Sequence, residues 1–502
     1  MLRIDPVATH AGASPNRPAI VDAEDGRRWT YRELDRAVDR LAAVLAGQFG
    51  PASGVRIATL ARNCPEMVIL QLACMRAGAI FVPFNWRLAP SEIAVLAQDA
   101  APEIVFHDPE LAVPAAVPRA WPIGELLNLG EEGARPAPEA RRPFEAVTTL
   151  LYTSGTSGRP KGVMLSDANA FWGCTNFIGG NDVSCASVFL CDMPLFHTAG
   201  LFAATRVPLQ AGAVVLISRG FDPDRTLARL ADPALGVTHY FSVPQMAATI
   251  WNRPDFEPAK LRSLVSWTLG GAPNPRAQTE RFVGAGVPIL EGFGMTETGS
   301  NFGMPPHDLA RVLVKAGSCG LPFLAIEAKI ADDAGNALPD GEKGELWLRG
   351  PSVSQGYWNQ PELTAQAFRD GWFLTGDAAV RDADGFYSIV DRKKDMFISG
   401  GENVYPAEVE AALAELAEVA EAAVVGVPDA RWGEVGRAYV VPVAGREITA
   451  EQVVGHCLAR LAKFKVPASV VITDQVPRTA SGKVQKHVLR DRALAEMSEG
   501  GA

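Results

Sequence analysis

No run of about 18 uninterrupted apolar residues occurs anywhere in the chain, so no transmembrane helix is expected. There is no Cys-x-x-Cys pair among the seven cysteines, which excludes a zinc ribbon and a thioredoxin-like site. Thiols this sparse and odd in number suit a reducing compartment, where buried cysteine acts as a small hydrophobe. Positive charge is not in excess: 47 Lys and Arg face 57 Asp and Glu, a net charge of -10. Non-specific nucleic-acid binding needs cations against phosphates and is therefore not expected, although a local basic pocket for a small anion remains open. Fixed-period repeats and low-complexity tracts are absent, because the 47 glycines and 37 prolines are scattered as in ordinary turns. Met1-Leu-Arg-Ile-Asp-Pro6 holds no apolar stretch of signal-peptide length, and the closing Gly-Gly-Ala matches no peroxisomal or prenylation signal. A cytoplasmic protein is the expectation.

What is present is enough apolar material for a large core: 48% hydrophobic against 21% charged residues over 502 positions. That length suggests one large domain with a smaller one, or about three units. Leu34, Val38, Leu41 and Leu45 fall on one helical face behind the cap-like Thr30. Short apolar strands recur at 55–60, 79–82, 103–106, 149–152, 187–191, 237–241 and 264–269, with helical stretches between them. Alternation of this kind predicts an α/β protein with largely parallel sheets. From about 320 to 390 strands and tight turns dominate, and after Asp391 a compact mixed segment follows. The fold expected is a large N-terminal domain of parallel-rich sheets flanked by helices, with a β-rich subdomain, over 1–391, and a small, mobile α+β C-terminal domain over 392–502. The polar Asp391-Arg-Lys-Lys-Asp395 is the expected linker.

The strongest chemical signal is Tyr152-Thr-Ser-Gly-Thr-Ser-Gly-Arg-Pro-Lys-Gly162. A strand runs into six Thr, Ser and Gly residues, whose backbone N–H groups and hydroxyls can form an anion nest, with Lys161 adding a cation. The spacing is neither that of a Walker A loop nor that of a nucleophile elbow. Glu291-Gly-Phe-Gly-Met-Thr-Glu297 offers an aromatic face between two glycines, then a hydroxyl and a carboxylate suited to Mg²⁺. It is not a dinucleotide fingerprint, because Glu297 stands where the third glycine would be. Gly371-Trp-Phe-Leu-Thr-Gly-Asp377 supplies a carboxylate able to hold both hydroxyls of a ribose, and Arg392 can act from the other side. Ser399-Gly-Gly-Glu-Asn-Val-Tyr-Pro406 is a Gly-rich turn before a helix, and Pro477-Arg-Thr-Ala-Ser-Gly-Lys483 presents a lysine before the last helix. Taken singly, several of these read as ordinary turns or exposed charges.

In this order, the five segments resemble the adenylate-forming superfamily of acyl-CoA synthetases, aryl-CoA ligases, luciferases and peptide-synthetase adenylation domains. The resemblance runs from Thr30 to Lys483. It implies that Thr153, Ser154, Gly155, Thr156, Ser157 and Gly158 wrap the ATP phosphates, with Lys161 near the leaving pyrophosphate. Gly271, Ala272 and Pro273, with Glu291, Gly292, Phe293, Gly294 and Met295, would line the adenine and acyl sites. Thr296 would meet the α-phosphate; Glu297, with Thr153, would hold Mg²⁺. Asp377 and Arg392 would bind ribose, with Asn403 also at the nucleotide. Lys483 would bridge the carboxylate and the α-phosphate as the catalytic lysine. Lys394 would be the hinge about which the C-terminal domain rotates, and Gly400 and Gly401 would flank the coenzyme A tunnel. Ser157 stands where Thr is commoner and Phe293 where Tyr is common, with the hydroxyl and the ring face retained.

Pro194-Leu-Phe-His-Thr-Ala-Gly-Leu201 follows a strand and opens a helix. The resemblance makes His197 a catalytic gate between acid and thiol. Phe196, His197, Thr198, Phe202, Trp267, Gly270 and Met295 are the expected acyl pocket, a mostly apolar set that favours a fatty or aryl acid over acetate or a dicarboxylate. Arg206 could pair with a second carboxylate, but a surface role is the expectation. No Asp lies between Pro194 and Gly220, which argues against an amino-acid substrate. The resulting expectation is an AMP-forming acyl-CoA synthetase using ATP, Mg²⁺ and coenzyme A. Its partners are small molecules rather than nucleic acid, and a homo-oligomer is compatible with the sequence. The alternatives are an enzyme that loads a carrier protein, and a non-catalytic nucleotide- or lipid-binding protein on the same fold.

Overall fold

A computed structural model describes residues 4–135, 142–153, 160–272, 274–392, 395–399, 402–429, 432–461, 463–479 and 483–499. Helix Tyr31–Phe49 begins where Thr30 and Glu33 form a capping box, and buries Leu34, Val38, Leu41 and Leu45 as their spacing predicts. Helix Pro65–Ala77 is different: all 13 of its residues are buried. A helix enclosed on every side has to pair its charges, and Arg76 does so with Asp5, Asp35 and Asp39 at 2.7–2.8 Å.

Contacts divide the chain into two units. The first comprises Met1–Asn274, Thr279–Glu327 and Leu348–Phe373. It holds a nine-stranded sheet whose interior strands, Ile289–Met295, Ser266–Leu269, His239–Ser242, Val188–Cys191, Val214–Ile217 and Pro18–Asp22, are all parallel neighbours. Antiparallel strands flank them on both edges. A six-stranded sheet is parallel from Ala120–Pro122 through Val147–Thr153 and ends in the antiparallel strand Lys161–Ser166. The main core lies between the sheets, joining Ile57 and Phe81 of one to Ile20 and Phe189 of the other through the two helices above. Alternate residues Ala58, Leu60 and Val82 face a second core on the far side.

The second unit comprises Pro275–Gln278, Ala328–Trp347 and Leu374–Ala502. Its central sheet pairs Val419–Asp429 with Gly433–Pro442 in antiparallel register and adds Ser469–Ile472 in parallel. Helices Pro406–Leu413 and Ala450–Leu458 cover one face, and helix Lys486–Glu499 the other. Of the expected linker 391–395, Asp391 and Arg392 form the end of strand Tyr387–Arg392, paired with Ala378 and Asp377, and Lys393 and Lys394 lie outside the described residues. The expected division at 391 and 392 thus falls at the end of a strand. No helix among the described residues is long and apolar enough to cross a membrane.

Candidate active site

The site of the first unit is built where parallel strands end. Neighbouring parallel strands deliver their C-terminal ends to one edge, and open α/β sheets bind ligands there. Strand Val188–Cys191 leads to the His197 turn, Ser266–Leu269 to Gly270 and Gly271, and Ile289–Met295 to Thr296 and Glu297.

In the six-stranded sheet, Val147–Thr153 and Lys161–Ser166 form a hairpin with Thr153 directly opposite Lys161. Ser154, Gly155, Thr156, Ser157 and Gly158 lie outside the described residues. The hairpin's outer strand is held by a further segment: the Trp358 N–H donates to the Gly162 carbonyl at 2.7 Å and the Met164 N–H to that of Gly356 at 2.9 Å. Between these bonds, the Lys161 ammonium sits 5.3 Å from the centre of the Tyr357 ring.

Strand Ile289–Met295 continues through Gly292-Phe-Gly and turns at Thr296–Thr298 into Gly299–Gly303. Gly294 is needed for this turn, since a Cβ there would lie 2.4 Å from the Gly299 carbonyl oxygen. The ring of Phe293 meets Phe302 edge-on at 5.9 Å. Thr296 and Met295 are half-buried and Glu297 is buried. The Tyr357 hydroxyl donates to Glu297 Oε1 at 3.1 Å, and the Ser354 N–H to the Glu297 carbonyl at 2.7 Å. Burial and then the Glu297 charge hold the phenol far above its ordinary range, so it stays a donor. With Oε1 occupied by the phenol, Glu297 keeps one carboxylate oxygen, and Thr153 supplies a hydroxyl at the hairpin end. Such hard oxygen donors fit Mg²⁺, which takes few protein ligands and completes its shell from phosphate and water. Among the described residues no cluster of three or more His, Cys, Asp or Glu forms a self-sufficient metal cage.

Gly270 and Gly271 open the next loop. A Cβ on Gly270 would lie 2.8 Å from Phe241 Cζ, and Gly271 holds φ +82. Ala272 is exposed, while Pro273 lies outside the described residues. Glu291, expected to line the site, is buried and hydrogen-bonded behind this loop. Asn274 donates to Thr279 Oγ1 at 2.7 Å, Thr279 donates to Glu291 Oε1 at 2.7 Å, and the Gly317 N–H donates to the same oxygen at 3.2 Å. Glu291 is therefore the anchor of the loop, and burial raises its carboxyl above the usual range.

The His197 turn is clamped. Asn63, itself buried, donates from Nδ2 to the Met193 carbonyl and accepts from the Leu195 N–H, each at 2.9 Å. The His197 N–H donates to the Pro194 carbonyl at 3.1 Å, and its ring lies 4.6 Å from that of Phe196. A π-helix, Ala199–Arg206, follows. Single π turns recur at functional sites, and here Gly200 lets the helix begin against the turn. Its absent Cβ would lie 2.2 Å from the Pro194 carbonyl oxygen. Thr198 and Phe202 are half-buried and Phe196 is buried.

Two expectations are overturned here. Arg206 is not a surface residue: it is 5% exposed and bonded to Asp167 Oδ1 at 2.8 Å, so its charge is already paired. Trp267 is a core residue, not a pocket wall. It is fully buried, donates to Ser242 Oγ at 2.8 Å and packs on Tyr240 and Phe282.

In the second unit Asp377 is buried and stands directly opposite Arg392 across paired strands, the two residues expected at ribose. Asn403 lies in strand Glu402–Val404, hairpinned to Phe397–Ser399. Gly400, Gly401 and Lys394 lie outside the described residues. Lys483 is exposed, and its N–H donates to Thr479 Oγ1 at 3.1 Å. Sequence reasoning missed Tyr357, Asn63 and Asp167. Only Gly356-Tyr357-Trp358, a Gly–aromatic turn, carried a local signal.

Residues 7–358 match the model of a family described as AMP-binding enzyme, and residues 408–483 match its C-terminal domain. A feruloyl-CoA synthase of an Amycolatopsis species is 40% identical over 96% of this chain and 97% of its own length. An indoleacetate–CoA ligase of Aromatoleum aromaticum is 37% identical over 96% of each chain. Among solved structures, o-succinylbenzoate coenzyme A synthetase of Bacillus subtilis in complex with ATP and magnesium ion is similar with a TM-score of 0.87. It is 31% identical over 97% of this chain and 100% of that one.

Proposed function

The chain belongs to the family of AMP-binding enzymes, and from that premise we propose that it is an AMP-forming acid–thiol ligase acting on a hydrophobic, aryl-bearing monocarboxylic acid. ATP and the acid give acyl-AMP and pyrophosphate; coenzyme A then gives the acyl-CoA thioester and AMP. One observation carries the reading: the anion hairpin, the buried carboxylate Glu297 and the clamped His197 turn all follow the C-terminal ends of strands in one unit. Relatives named for ferulate and indoleacetate support an aryl acid. So does the pairing of Arg206 with Asp167, which leaves that guanidinium no role toward a second carboxylate.

The chemical problem is that a carboxylate is a poor electrophile with no leaving group. Adenylation supplies one. The acid's oxygen attacks the α-phosphorus, the bond to pyrophosphate breaks, and negative charge gathers on the phosphate oxygens. Donors already aimed at those oxygens lower the barrier. Lys161 is proposed to meet the departing pyrophosphate, Thr296 the α-phosphate, and Lys483 the carboxylate and α-phosphate together. Asp377 and Arg392 are proposed at the ribose. Glu297 and Thr153 would hold Mg²⁺, which when bound neutralises phosphate charge. In the second half-reaction the thiol adds to the acyl carbonyl and AMP leaves, with His197 beside the acid. The region 392–502 is proposed to act as a functional module, with its hinge at Lys394 and Gly400 and Gly401 at the thiol's approach.

The test is pyrophosphate release from ATP and Mg²⁺ over ferulate, indoleacetate, benzoate, palmitate and malonate, each with and without coenzyme A. Aryl acids are expected to lead, with AMP and an acyl-CoA as products. Release that coenzyme A does not stimulate would favour carrier loading, and silence throughout would sink the ligase. Lys483→Ala is expected to lower acyl-AMP formation by a factor on the order of 10²–10³ while sparing thioester formation from supplied acyl-AMP. Equal losses in both halves would remove that lysine from the mechanism.

A further inference from the structure

The geometry assigns Tyr357 as a positioning residue that ties the carboxylate Glu297 to the cation Lys161, so that the metal-binding and phosphate-binding groups are set by one side chain. This rests on the roles proposed above for those two residues. It begins with the backbone. The segment 354–358 is stitched to strand Lys161–Ser166 by the Trp358, Met164 and Gln355 N–H groups, at 2.7–3.2 Å. On its other side the Ser354 N–H reaches the carbonyl of Glu297 itself at 2.7 Å. Gly356 takes φ +107, where a Cβ would lie 2.2 Å from Thr364 Cγ2, and the Tyr357 N–H donates to Thr364 Oγ1 at 2.9 Å. A side chain rooted between the hairpin and the Glu297 turn has little room to drift.

The two ends of that side chain then do different things. Its hydroxyl gives a hydrogen bond to Glu297 Oε1 at 3.1 Å, and its ring face lies 5.3 Å from the Lys161 ammonium. A donor on one oxygen of a buried carboxylate holds it in one rotamer and fixes where its other oxygen points, and partners of metal-binding carboxylates set metal affinity in this way. An ammonium over an aromatic face keeps its charge without being neutralised by a counter-ion, and so stays available to phosphate. A carboxylate in the ring's place would instead consume the cation.

Because the two ends are chemically separate, two variants separate them. Tyr357→Phe keeps the ring and removes the hydroxyl; Tyr357→Leu removes both. The probe is ATP binding by calorimetry, with Mg²⁺ and with EDTA, and Glu297→Gln serves as the reference. For Tyr357→Phe, Mg²⁺-ATP affinity is expected to fall by about 10-fold, with metal-free ATP bound as by the wild type. For Tyr357→Leu, a further loss is expected that persists in EDTA, since the contact of Lys161 with phosphate needs no metal. Wild-type Mg²⁺-ATP affinity in Tyr357→Phe, with Glu297→Gln impaired, would overturn the positioning role alone. Wild-type affinity in Glu297→Gln would overturn the metal role and the proposal with it. Should Tyr357→Leu fail to fold, Lys161→Met in the Tyr357→Phe background takes its place. Unchanged EDTA affinity in that double variant would overturn the Lys161 half.

Discussion

Glu291 is a carboxylate kept where charge is costly. Burial raises its pKa, and the hydrogen bonds from Thr279, Gly317 and Asn274 offset only part of that. The sign follows from proton counts: with its folded pKa above the unfolded value, the native state binds more protons between the two. Stability from this group is therefore full at low pH and falls as pH rises through that window. Glutamine at the same place still accepts from Thr279 and Gly317 through Oε1 but carries no charge. Glu291→Gln is expected to melt at or above the wild-type temperature at pH 7, the difference closing as pH falls toward the ordinary carboxyl range. A variant less stable by more than about 1 kcal/mol at pH 7 would mean that the charged hydrogen bonds outweigh the burial. Nothing in the sequence around Glu291 announces this anchoring role. Its partners Thr279 and Gly317 come from other segments, as does Asp167 for Arg206, and long-range pairing is what a local motif cannot carry.

The turn carrying His197 is held from outside its own segment. Asn63 sits between strand Arg56–Leu60 and helix Pro65–Ala77, and its single amide satisfies one carbonyl and one N–H of the turn. Both are main-chain groups that would otherwise lack these partners in a buried place. Asn63→Ala is expected to cost on the order of 1–3 kcal/mol in urea or thermal unfolding. It is also expected to lower the ratio of thioester formation to adenylation, because the His197 ring loses its fixed seat. Asn63→Asp should not restore that ratio, since an aspartate cannot donate to the Met193 carbonyl. A ratio equal to that of the wild type in both variants would make the clamp purely structural. At this scale the sequence was informative about existence and type. The helix behind Thr30 and the strands near 55–60 and 264–269 occur as Tyr31–Phe49, Arg56–Leu60 and Ser266–Leu269. The π-helix was not legible, because its wider turn depends on Gly200 meeting the Pro194 carbonyl, a contact between backbone atoms.

Across the whole molecule, the alternation of apolar strands and helices was sufficient to indicate parallel sheets, since strands buried on both faces and joined by helices have few other arrangements. Which strands neighbour which was not legible: Val188–Cys191 sits between His239–Ser242 and Val214–Ile217, an order set by packing. The same global packing can be read through the thiols. Cys64, Cys74, Cys174, Cys191, Cys319 and Cys457 are buried, and only Cys185 is exposed. Burial pushes the Cys174 thiol up to about 12 and moves those of Cys64, Cys74, Cys191 and Cys457 upward as well. Reaction with a disulfide reagent needs both access and thiolate, so depth suppresses it twice. Native protein at pH 8 is expected to show one fast thiol, abolished by Cys185→Ser, and seven once guanidinium unfolds the chain. Two or more fast thiols in the native state would mean that one of the buried cores opens on the timescale of the reaction. A tryptic map of the labelled protein would then say which: Cys457 reports the second unit, and the other buried thiols report the first.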